Sequence, residues 1–236
     1  MAHGTRDAAG AEVVRRLVAR VRAMRPGTPV ELGWLGLVDP SVAEVLAAVS
    51  GPVVTVPLLL GGGNHLRIDV PRLLAAAGRG GGPAPRALGP ATALAQALAG
   101  RLAQAGRPAG PTPVVLASAG SREPRAHADV AATARLLARR LDAPVVPAFL
   151  SGGTPTPQAA VAALRGRGHD RVAVASYLLA PGHFASRLAA AGGDWTAAPL
   201  GPSPAVAGLV WRRYDQARAA TRPAAGPPAA VATAGR

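Results

Sequence analysis

Few residues in this chain can hold a metal ion or move a proton near neutral pH. Among 236 residues there are five histidines (His3, His65, His127, His169 and His183) and no cysteine. Disulfides, thiolate metal sites and thiol nucleophiles are therefore excluded, and any metal falls to imidazole, carboxylate or backbone oxygen. A neutral imidazole binds divalent first-row metals and also accepts a proton close to pH 7. Two of the five follow apolar segments at turns. His3 opens His3-Gly4-Thr5-Arg6-Asp7, and His65 follows Leu58-Leu59-Leu60 and a Gly61-Gly62-Gly63-Asn64 turn. His127 falls in a helical pattern and His169 in a Gly-Arg-Gly-His-Asp turn, and both read as surface residues.

An internal repeat brings the first two together. His3-Gly4-Thr5-Arg6-Asp7 is matched by Ala119-Gly120-Ser121-Arg122-Glu123, and Asp39-Pro40-Ser41 by Thr154-Pro155-Thr156. The Leu58-to-His65 stretch is matched by Tyr177 to His183, and Leu88-Gly89-Pro90 by Leu200-Gly201-Pro202. Four landmarks in one order at nearly constant spacing mark a duplicated domain. In the second copy the periodicity predicts strands over 114–116, 145–150 and 171–179, and helices over 127–141, 157–165 and 183–191. In the first it predicts helices over 11–24, 42–49 and 69–77 and strands over 30–35 and 53–60. Alternation of this kind implies an α/β fold, each copy a parallel sheet flanked by helices.

The expected organisation is an N-terminal lobe over 1–106, a linker over 107–113, a C-terminal lobe over 114–220 and a disordered Ala/Pro/Gly tail over 221–236. The first copy reaches His3 after only Met1 and Ala2, so its first strand is expected to be missing, as from a start placed too late. Ligands of open α/β sheets bind outside the carboxyl ends of the strands. His3 and His65 each follow a strand position of the first lobe and so belong on one rim, where the second lobe has Ala119 and His183. A turn cap or a carbonyl hydrogen bond is the alternative for each imidazole alone. Their pairing at repeat-related positions favours the chemical reading.

The formal charge is +14 and every basic residue is arginine. Such a charge steers nucleic acid, an acidic membrane or a polyanionic small molecule. Two Phe, two Tyr and three Trp leave little for base stacking. No apolar run approaches the roughly 20 residues of a membrane span, and no secretory h-region follows the N-terminus. Neither nucleic acid nor membrane is expected as a partner, and a cytoplasmic location is expected.

The His3–Asp7 motif, Val56-Pro57-Leu58-Leu59-Leu60 with His65-Leu66-Arg67-Ile68-Asp69-Val70-Pro71, and Leu88-Gly89-Pro90 together resemble the CbiX/SirB family of sirohydrochlorin chelatases. The likeness covers roughly residues 2 to 217. It implies two flavodoxin-like lobes with a tetrapyrrole in the cleft between them, and insertion of Co²⁺ or Fe²⁺ into sirohydrochlorin for cobalamin or sirohaem synthesis. His3 and His65 correspond to the family's active-site histidines, binding metal and accepting pyrrole protons, with no permanently bound cofactor. An octacarboxylate macrocycle makes Arg6, Arg67, Arg122 and Arg187 candidates for its side chains, with Gly61, Gly62 and Gly63 approaching the flat ring and His183 facing it. The family carries an acidic residue in a Phe-Leu-Glu stretch, where this chain has Trp34-Leu35-Gly36. Asp39 is the nearest carboxylate and reads as a helix cap. That departure keeps a second reading open, a non-catalytic tetrapyrrole or metal carrier.

Overall fold

In the C-terminal lobe, the short apolar runs over 114–118 and 173–177 form strands buried on both faces, as the centre of a helix-covered parallel sheet requires. The computed structural model describes residues 1–63 and 65–221. The N-terminal lobe contains β1 (Ala2–His3), α1 (Ala8–Met24), β2 (Trp34–Leu35), α2 (Val42–Ala48), α3 (Val70–Ala76) and α4 (Thr92–Gln104). The C-terminal lobe contains β3 (Val114–Ser118), α5 (Pro124–Leu141), β4 (Val145–Phe149), α6 (Pro157–Arg165), β5 (Ala173–Tyr177), α7 (His183–Ser186), β6 (Trp195–Thr196) and α8 (Pro204–Thr221). Apart from Thr221, which closes α8, the expected tail lies outside the described residues.

The second sheet is parallel throughout, in the order β4-β3-β5-β6. That is the doubly wound order in which the first strand lies between the second and third. The first lobe follows the same path with weaker pairing. Ala2–His3 pairs in parallel with Trp34–Leu35, so the strand expected to be missing is present as a two-residue stub. The segment 53–60, expected as a strand, is not a regular one, and Pro57 removes a ladder donor from its middle. It still runs beside β1, with the Leu58 N–H donating to the Met1 carbonyl at 2.8 Å. On its far side the Leu88 N–H donates to the Leu59 carbonyl at 2.8 Å, as the Leu200 N–H does to Leu178 at 2.9 Å in the second lobe.

Two helices outside the sequence reading, α4 and α8, join the lobes. The last helix of each lobe packs on the first helix of the other, α4 on α5 and α8 on α1. Leu94, Leu98 and Leu102 of α4 and Val206, Leu209 and Trp211 of α8 share one core with Leu17, Val21 and Leu137. Trp211 buries its ring there and donates Nε1–H to the Val21 carbonyl at 3.0 Å, while Arg25 grips the Asp215 carboxylate through two bonds of 2.7 Å. The segment 107–113 is stapled by the buried Arg107, whose guanidinium donates to the carbonyls of Pro108, Gly110 and Thr112. Among the described residues no helix is long and apolar enough to cross a membrane.

Candidate functional site

The two strand-end rims face each other across a cavity of about 970 Å³. His3 ends β1, and Gly4 then turns the chain under β2, because a Cβ at Gly4 would overlap the carbonyl oxygen of Gly36. The same contact recurs in the second lobe between Gly120 and the Ser151 carbonyl, with Gly120 at φ +91°. His65 begins a single π-helical turn, His65–Asp69, that leads into α3. This turn places Asp69 back against the histidine.

His3 and His65 meet on the cavity wall with ring centroids 4.7 Å apart and planes at 88°. Each has its Nδ1 engaged. His3 Nδ1 lies 2.8 Å from the Gly4 carbonyl oxygen, and His65 Nδ1 lies 2.6 Å from Asp69 Oδ2. A carbonyl and a carboxylate only accept, so each Nδ1 carries the proton and donates it. That tautomer leaves the lone pair on each Nε2. Among the described residues no group of three or more His, Asp and Glu could hold a metal ion.

Of the other sequence candidates, Arg6, Gly61, Gly63 and His183 line the cavity. Gly62 turns its N–H away to Asp129 Oδ2 at 3.0 Å. Arg67, Arg122 and Arg187 stand outside the wall formed by the described residues. Arg67 is paired with Glu123 at 3.0 Å, and Arg122 and Arg187 are exposed. His127 is not a plain surface residue. It lines the cavity, stacks on Phe149 with centroids 4.4 Å apart, and its Nε2 sits 2.7 Å from the Ser121 carbonyl and 3.0 Å from that of Gly152. A ring nitrogen shared between two carbonyls is a donor that ties two turns together. Asp39 does not cap α2. Ser41 does, in a reciprocal capping box with Glu44.

Three residues of the site have no role in the sequence reading. Asp69 stands four positions after His65, a spacing that brings side chains together along a helical turn and could have been read. Tyr177 is buried, donates its hydroxyl to the Leu60 carbonyl at 3.0 Å, and is held well above the usual phenol range by that burial. Leu37 lies in the left-handed region at φ 67° and stays 63% exposed at the cavity mouth, offering apolar surface.

A carboxylate on the far nitrogen of a metal-binding histidine fixes its tautomer and raises its basicity. Asp69→Ala is therefore expected to weaken Co²⁺ binding about tenfold, the lower end of such effects, because the pair is half exposed. Titration followed by the visible absorption of bound Co²⁺ checks this, and unchanged affinity would leave Asp69 without that function.

A family model described as CbiX matches the chain twice, over residues 1–105 and 113–217. A sirohydrochlorin cobaltochelatase of Methanopyrus kandleri is 36% identical over 76 residues, which cover 30% of this chain and 53% of that protein. The chain thus spans about half the length of that relative. Among solved structures, SirB from Bacillus subtilis with Fe3+ superposes with a TM-score of 0.75 at 20% identity, covering 92% of this chain and 94% of that one. SirB from Bacillus subtilis subspecies spizizenii in complex with cobalt gives 0.71 at 20%, covering 92% and 93%. These two likenesses concern the two-lobed fold, and the doubled family match extends over nearly all the described residues: the chain belongs to the CbiX family.

Proposed function

We propose that this chain is a sirohydrochlorin chelatase that inserts Co²⁺ or Fe²⁺ into the macrocycle in the cytoplasm, toward cobalamin or sirohaem. The observation that carries the reading is the His3–His65 pair, with both Nδ1 atoms engaged and both Nε2 atoms left for a ligand beside the interlobe cavity. Two imidazoles hold a first-row ion without the grip of thiolate, so the ion can be handed on.

Insertion exchanges two pyrrole N–H protons for one divalent ion. As the macrocycle nitrogens bind the metal, Nε2 of His3 and His65 is released, and each can take up one departing proton. The site therefore balances charge and protons with the same two side chains. The apolar wall at Leu37, Leu59 and Leu66 suits the face of a flat ring, and Arg6 stands beside His3 to receive a peripheral carboxylate. Arg122 and Arg187, exposed outside the wall, are placed to steer the polyanion rather than to seat it. Arg67 is occupied by Glu123 and is assigned to holding the His65 turn.

The test is turnover. Purified protein with sirohydrochlorin and Co²⁺ or Fe²⁺, followed by absorbance, is expected to metallate faster than the spontaneous reaction. Binding of metal and macrocycle without acceleration would overturn the enzymatic reading in favour of a carrier.

A further inference from the structure

The second lobe has Ala119 where the first has His3, yet its side chains hold the loop that carries His65. Three contacts run from the second lobe to this one stretch. Tyr177 of β5 donates its hydroxyl to the Leu60 carbonyl at 3.0 Å, and Asp129 of α5 accepts the Gly62 N–H on Oδ2 at 3.0 Å. Glu123, just before α5, accepts from Arg67 at 3.0 Å. The loop 60–63 has three consecutive glycines, the residues with most backbone freedom to lose, and so depends on external partners for a fixed path.

The repeat makes the arrangement diagnostic, because it supplies an internal control. With Gly4 set against Gly120, the residue in register with Asp129 is Val13. With Leu59 set against Leu178, by their matching bonds from Leu88 and Leu200, the residue in register with Tyr177 is Leu58. With His65 set against His183, the residue in register with Arg67 is Ala185. None of Val13, Leu58 and Ala185 has a polar side-chain atom. At these three places the hydrogen-bonding side chain is present only in the direction that holds the loop of the two-histidine lobe.

We infer that Asp129 and Tyr177 are positioning residues, through which the second lobe fixes the loop 60–63 and so sets His65 against His3 for metal binding. The inference rests on the chelatase reading only for the identity of the ion. The need at Asp129 is for an acceptor oxygen aimed at a backbone N–H, not for negative charge. At Tyr177 the need is for a donor.

The test uses the full chain with Co²⁺ as the probe, read by visible absorption, alongside kcat and KM for macrocycle metallation. Asp129→Ala is expected to weaken Co²⁺ binding about tenfold, as loss of an outer hydrogen bond to a metal site does. Asp129→Asn, which retains an acceptor oxygen, is expected to stay within about twofold of wild type. Tyr177→Phe, isosteric in a buried position, is expected to act in the same direction as Asp129→Ala, with kcat lowered more than KM is raised. Should Asp129→Asn lose affinity as Asp129→Ala does, charge and not loop placement is responsible and the inference fails. It fails equally if Asp129→Ala and Tyr177→Phe both bind Co²⁺ as wild type does. If instead wild type shows no Co²⁺ binding that His65→Ala removes, the chelatase reading itself is lost.

Discussion

Alanine at His3 or at His65 is expected to lower metallation by at least about a hundredfold, and replacing both is expected to cost little more than replacing either. The first part follows from chemistry. In the proposed mechanism each imidazole supplies one metal bond and one proton acceptor, and a positioned acid–base group alone is typically worth about 10²–10⁴ in rate. The second part follows from geometry. Under the proposed mechanism rings 4.7 Å apart, each with Nδ1 engaged, serve one ion together, and a group of residues that works as a unit is already disabled by its first loss. The measurement is the initial rate for both single variants and the double, with Co²⁺ affinity in parallel. Losses that multiplied would show that one histidine handles metal and the other handles protons separately.

How far the site was readable depended on which forces built each part. The helix over 157–165 and the three strands of the second lobe read well, because the helix buries one periodic face and the strands are apolar runs bounded by turns. The first-lobe strand over 53–60 did not survive, since Pro57 breaks the ladder that its apolar composition suggests. Helices α4 and α8 lie between lobes and meet apolar neighbours on more than one side, which blurs the single stripe that periodicity detects. His3 and His65 were legible as a pair because strand ends of one sheet share a rim. His127 was misread because a helical pattern does not tell which face looks into a cleft. Asp129 was illegible for a stronger reason. Its contact with Gly62 is made only when one lobe docks on the other, and no local pattern encodes that.

Gly4→Ala is expected to remove metal binding and turnover while Gly120→Ala chiefly removes stability, although the two glycines occupy equivalent places. At both, a Cβ would overlap a backbone carbonyl, that of Gly36 in the first lobe and of Ser151 in the second. Backbone cannot swing aside as a flexible side chain does, so the turn must move. At Gly4 the moving residue adjoins His3, whose Nδ1 partner is the Gly4 carbonyl itself. Displacement of a catalytic group by about 1 Å costs roughly a hundredfold, and here the metal geometry and the tautomer are disturbed together. At Gly120 the neighbour is Ala119, whose methyl group has no metal-binding or proton-accepting atom to misplace. The cost there is conformational: φ of +91° adds about 1–3 kcal/mol for a residue with a Cβ, and the overlap about 1–3 kcal/mol more. Urea denaturation should therefore show Gly120→Ala clearly destabilised, with its folded fraction binding Co²⁺ as wild type does. Gly4→Ala should lose Co²⁺ affinity even where it remains folded. Equal loss of affinity in the two variants would mean that the Gly120 turn itself supports the metal site, contrary to a purely conformational cost at Gly120.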